Sequence, residues 1–128
     1  MALLDDLGGY LVAQGLATGL YQDLFLDYYP DEVHDLICLS EYGGSPTQTG
    51  IDLVERRVQV LVRNQKLSQA RAKAWALFNA LDKPSYRVID LGNRVAAIHA
   101  LQTPAKLHED GSGRTIFVFN LSVSTTRD

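Results

Sequence analysis

Cysteine is almost absent from this chain, with Cys38 the only one in 128 residues. A single thiol forms no intrachain disulfide and builds no thiolate metal cluster, and it suits a reducing compartment. Basic charge is not in excess either. Twelve Lys and Arg stand against 15 Asp and Glu, a formal net charge of −3, which gives no bulk attraction to nucleic acid or to an anionic membrane. Long apolar runs are missing too: no window approaches the roughly 18 uncharged residues of a membrane-spanning helix. The opening MALLDDLGGYLVAQ carries Asp5 and Asp6 where an export signal needs a basic start and an unbroken apolar stretch, so it is expected not to be one.

What is present points to a folded core. Hydrophobic residues make up 46% of the chain, with six Tyr, four Phe and one Trp, too apolar a composition for disorder. The length suits one domain, residues 1–128. Leu4, Leu7 and Leu11 recur at helical spacing and predict a first amphipathic helix to about Gln14, with Asp5 and Asp6 near its positive dipole end and Gly15 and Gly19 ending it. Gly8–Gly9 inside it marks close packing against a sheet. Residues 20–29, aromatic and stopped by Pro30–Asp31, predict a short strand. Residues 35–42 alternate as a better strand, and Gly43–Pro46 reads as a loop or turn.

The clearest strand is 51–63, with Val58, Val60 and Val62 facing the core and Arg57, Gln59, Leu61 and Arg63 on a mostly wet face. From Ser68 the period changes. Ala70, Ala74, Leu77 and Leu81 form one helical stripe flanked by Trp75 and Phe78, ending near Lys83–Pro84. Strands at 86–91 and 94–101 bracket Gly92–Asn93, and 114–125 alternates with Phe117, Phe119, Leu121 and Val123 on one face. The intervening TPAKLHEDGSG reads as a polar connection turning at Asp110–Gly111. Two helices are too few for a doubly wound parallel sheet, so the expected fold is α+β, a mainly antiparallel sheet with both helices packed on one face.

No constellation carries catalysis. His34 and Asp35 beside Ser40 invite a triad reading, but adjacent residues at a strand start point apart rather than into one hydrogen-bonded chain. His34, His99 and His108 lack the spacing and carboxylate neighbours of a zinc site. Cys38, between Ile37 and Leu39, reads as a small buried hydrophobe. Gly43–Gly44 lacks the following helix and the GK[ST] of a phosphate loop. No catalytic residue, metal or cofactor is expected. Arg56, Arg57 and Arg63 are the only concentrated positive charge. They read either as a solvated face or as an inter-subunit patch that grips carboxylates; a nucleic-acid module is disfavoured for want of interleaved aromatics.

Three segments in order carry a resemblance: LICLSEYGGSP (36–46), RRVQVLVRNQKLSQARAKAWALFNAL (56–81) and HALQTPAKLHEDGSGRTIFVFNLSV (99–123). A strand ending in an acid, an aromatic and glycines precedes a VQVLVR-like strand. An alanine-rich helix follows, then a Q-x-P segment and a strand opened by a D-x-x-G-R-like turn. The layout resembles the minor capsid and tail-terminator proteins of long-tailed bacteriophages. The resemblance implies a non-enzymatic virion subunit, assembled in the host cytoplasm, that forms a ring, usually of six. Such a ring caps the tail tube and meets the head connector, with a head-completion or neck role as the alternative. Tyr42, Arg56, Arg57 and Arg63 are the residues expected at subunit interfaces. A chain this long has a radius of gyration of about 14 Å, so six copies enclose a hole of about 36 Å. DNA passes through that hole without being bound, and residues 43–50 and 106–113 are the loops expected to line it.

Overall fold

The computed structural model describes residues 2–45, 53–83 and 88–126. The expected turn at Pro46, strand start at Ile51, helix stop at Pro84 and strand start at Tyr86 lie outside them. The elements run α1 (Leu3–Ala13), β1 (Leu24–Leu26), β2 (Leu36–Ser45), β3 (Val54–Asn64), α2 (Leu67–Leu81), β4 (Ile89–Asp90), β5 (Val95–Ala100), β6 (Ala105–Glu109) and β7 (Thr115–Thr125). Seven strands form one sheet in the order β1-β2-β3-β7-β5-β4, with β6 also paired to β7. Both helices lie on one face, as their apolar stripes require. Leu3, Leu4, Leu7 and Leu11 of α1 join Ala70, Ala74, Leu77 and Leu81 of α2 in a single cluster with Val58, Val60, Val62, Phe119 and Leu121. The fold is α+β.

Local chemistry sets the C-terminal end of α1. Gly15, at φ 76°, takes the left-handed position that a side chain resists. Its N–H reaches the Val12 carbonyl at 3.0 Å and the Leu16 N–H the Leu11 carbonyl at 3.0 Å, the double closure of a glycine-ended helix. Gly8 is the close-packing position: a Cβ there would meet Leu20 Cδ2 at 3.1 Å and Leu24 Cδ2 at 3.3 Å, whereas Gly9 faces open space.

Four readings of the sequence change. The strand within 20–29 is only Leu24–Leu26 and pairs parallel with β2, the parallel element in an otherwise antiparallel set of named strands. Gly43 and Gly44 do not turn the chain but continue β2 through a bulge between Tyr42 and Ser45. Bare backbone is needed there, because a Cβ on Gly44 would fall 2.0 Å from the Glu55 carbonyl oxygen. The polar stretch after Pro104 is not a connection: Ala105–Glu109 is β6, with every residue exposed. Backbone pairing to β7 holds it, so no apolar alternation announces it. The two segments expected to act as lumen loops are therefore strand at 43–45 and 106–109, while 46–50 lies outside the described residues.

The fourth change concerns the supposedly wet face. Phe25, Leu36, Cys38, Leu61 and Ile116 form a second buried cluster there, with Val33 packed against it. Arg63 is only 3% exposed. Its Nη2 donates to the Pro30 carbonyl at 2.8 Å and to the Val33 carbonyl, and its guanidinium lies 5.1 Å from the Tyr29 ring centroid. It ties the 27–35 segment across the sheet. Arg63→Ala is accordingly expected to destabilise the monomer by about 1–3 kcal/mol, since it strands two carbonyls. A urea midpoint equal to wild type would return Arg63 to the solvent.

Candidate assembly surface

The far end of the β2–β3 ribbon, beyond both cores, gathers three of the four residues singled out in the sequence. Tyr42 and Arg57 are direct cross-strand partners. Tyr42 is 44% exposed, and Arg57 is half-buried. They line a shallow depression of about 240 Å³ with Gly43, Gly44, Ser45 and Glu55. A second hollow of about 330 Å³, lined by Ser40, Tyr42, Gln59 and Asn120, adjoins it through Tyr42. The two make one groove, lined mostly by polar residue types, on the sheet face away from the helices. Arg56, one residue earlier in the pleat, projects to the other face. It grips Glu41 with two bonds, Nε to Oε2 at 2.6 Å and Nη2 to Oε1 at 2.7 Å. Arg57 Nε sits 3.6 Å from Glu55 Oε1.

Arg63 is not part of this group. It lies at the opposite end of β3, beside a second arginine that the sequence reading passed over. Arg114 Nη2 donates to Asp31 Oδ1 at 2.6 Å and its Nε to Asp110 Oδ2 at 2.7 Å. Its Nη1 donates to the Asp31 carbonyl at 2.7 Å. This cluster anchors the strap 27–35 to the β6–β7 turn and is structural. The signal for it was the D-x-x-G-R spacing, which places Asp110 to accept the Arg114 N–H at 3.0 Å and so close the turn.

The sheet edges carry what the sequence did not show. Leu20, Tyr21, Tyr28 and Tyr29 are exposed along the β1 edge, and Val88, Val95, Leu101 and Leu107 along the β4–β5–β6 edge. Tyr21 and Tyr28 stack with ring centroids 6.5 Å apart. Tyr21 holds φ 62°, a left-handed conformation unusual for a bulky residue, and its N–H meets the Leu24 carbonyl at 2.7 Å. Strain and exposed aromatic area thus coincide at one edge.

The family model of the bacteriophage tail terminator protein matches residues 4–127, from the first helix through the last strand. The chain belongs to the bacteriophage tail terminator family. No curated protein matches it. A tail terminator is a structural component of the phage tail, and none of the described helices is long and apolar enough to cross a membrane.

In this tail terminator His34, Asp35 and Ser40 are scattered. His34 Nδ1 lies 3.4 Å from Arg114 Nη1, while Asp35 accepts the Gln65 N–H at 3.0 Å. Ser40 lies near Cys38 Sγ, at 3.7 Å. The three do not form one relay. His99 and His108 sit exposed on different strands, and no group of three His, Cys, Asp or Glu among the described residues is placed to hold a metal. Cys38 is buried in the second cluster, and that desolvation pushes its thiol above the ordinary value.

Two carboxylates make this tail terminator sensitive to acid. The Ser122 hydroxyl, donating at 2.6 Å, holds Glu55 below its ordinary value against desolvation, with Arg57 and Ser45 assisting. Desolvation pushes Asp110 up, but the backbone N–H groups and guanidinium that face it outweigh this and hold it low. A depressed folded-state pKa contributes stability above the unfolded value and loses it as pH falls through the folded value. The urea midpoint is therefore expected to hold from neutrality to about pH 5, then decline below about pH 4. Glu55→Gln and Asp110→Asn should each flatten that decline; identical profiles would remove these groups from the account.

Proposed function

We propose that residues 1–128 act as one tail-terminator domain that caps the finished tail tube and presents a surface to the head connector, as a subunit of a closed, six-membered ring without catalytic activity. The observation that supports this reading is the extent of the family match, residues 4–127, which spans the described elements from α1 to β7. The exposed, unclosed edges of the sheet accord with a subunit whose neighbours complete it. Its net charge of −3 suits a ring through which DNA moves without being retained, because each neutralised phosphate would add affinity along the whole genome. Tyr42, Arg56 and Arg57 are the proposed contact residues. Arg63 enters only through the strap that it holds.

The test is electron microscopy of phage particles made without this chain. Tails of uncontrolled length that fail to join heads, restored to one length by the supplied protein, are expected. Tails of normal length joined to heads would refute capping, and immunolabel spread along the tube would place the chain elsewhere in the tail.

A further inference from the structure

Resting on the ring reading, we propose that neighbouring subunits join head to tail by adding the free part of β2 of one copy to the free edge of β6 in the next, with the polar sheet face turned toward the hole.

Among the backbone edges left open in the described residues are one on β2 and one on β6. β1 covers β2 only from Ile37 to Leu39. Beyond it, residues 40–45 meet β3 on one side, and on the other the Glu41 N–H touches Asp27 Oδ1 at 3.3 Å. At the opposite edge, β6 pairs with β7 alone. The edge of β5 is closed instead, because Lys83 N–H reaches the Ile98 carbonyl at 3.1 Å and Ala100 N–H reaches Asp82 Oδ1 at 2.8 Å. β6 buries none of its five residues. A strand with two wet faces and an open edge invites another strand.

A second copy fits for three reasons. The first is direction: β2 is antiparallel to β3, β3 to β7 and β7 to β6, so β2 and β6 run oppositely. A neighbour rotated about an axis near the strand direction presents β2 antiparallel to β6. The second is chemistry. The two sides of the sheet differ, aromatic with Tyr21, Tyr28 and Tyr29 beside β1 against aliphatic with Leu107 on β6 and Val88 and Val95 by β4 and β5. Unlike edges make a heterologous contact, the kind that closes into rings.

The third is stagger. The free part of β2 aligns, through β3, with the Asn120–Ser124 half of β7, whereas β6 aligns with Thr115–Val118. Their centres are offset by five to six residues, about 18 Å. Closing a sheet into a barrel demands such a shear: four strands spaced about 4.8 Å and tilted by about 35–45° call for about 13–19 Å per subunit. The offset has that size. With the helices outside, Ser40, Tyr42, Arg57, Gln59 and Asn120 face the hole, and that lining is polar without being strongly basic.

The test uses the whole chain carrying Cys38→Ala and one added cysteine. Tyr42→Cys and Leu107→Cys protein, mixed and treated with a short bismaleimide, are expected to yield a covalent dimer, and neither variant alone yields one. Homodimers of either single variant, or no cross-link in the mixture at any soluble concentration, overturn the proposal. Separately, Leu107→Lys is expected to weaken association at least about tenfold with an unchanged monomer unfolding midpoint; wild-type assembly by this variant also overturns it. Capping is judged independently. Wild-type protein that restores tail length while the mixed cross-link is missing refutes the edge pairing alone. A mixed cross-link together with normal tails in its absence refutes capping alone.

Discussion

Asp6→Ala is expected to cost the fold about 3–5 kcal/mol, the range for breaking a buried ion pair from one side. Asp6 lies in the first turn of α1 with its side chain 1% exposed. Its Oδ1 accepts from Asn93 Nδ2 at 2.8 Å and its Oδ2 from Arg94 Nε at 2.8 Å. Alanine would strip the buried Arg94 guanidinium of the Asp6 carboxylate, its Nη1 still donating to the Thr126 carbonyl at 3.2 Å, and would detach α1 from the β4–β5 turn. Replacing both partners by apolar residues of similar volume, Asp6→Leu with Arg94→Met, should recover most of the loss, because the desolvation of both charges disappears with them. Urea unfolding of the two variants separates the cases. A loss below about 1 kcal/mol for Asp6→Ala would mean that the pair is solvated and that α1 is held by its leucines alone.

Leu77→Ala is the second large effect, expected at about 2–5 kcal/mol. Leu77 is fully buried, as are Ala70, Ala74 and Leu81 along the same stripe of α2. The two alanines let the helix approach the sheet closely, which leaves the surroundings little freedom to collapse into the space a leucine vacates. Phe78 closes the contact edge-on against Phe119, with centroids 5.8 Å apart. Trp75, packed on Phe78 at 5.2 Å but 39% exposed, should cost distinctly less when truncated. Denaturant unfolding of both variants tests the ranking, and a Leu77→Ala loss under about 0.5 kcal/mol would place this stripe outside the core.

Elements whose signal is a period were legible before folding is considered. The 70–74–77–81 stripe and the alternation of Val58–Val62 and Phe117–Val123 had one arrangement that buries apolar surface, and that arrangement requires both helices on one face. The ordered segments from 36 to 123 likewise pointed to the tail terminator family. The rest was decided by partners distant in the chain. Arg63 looked wet by alternation, yet a strap 30 residues away turns its face into a second core. Asp6 looked like a dipole charge until Arg94, 88 residues on, met it in the interior. β6 has no burial and hence no pattern; only its hydrogen bonds to β7 make it a strand, and only its place at the edge makes it a surface for another copy. Periodicity reports which side of an element is dry, but which edge of a sheet stays open depends on the order in which strands pair, and that order exists only once the chain has folded.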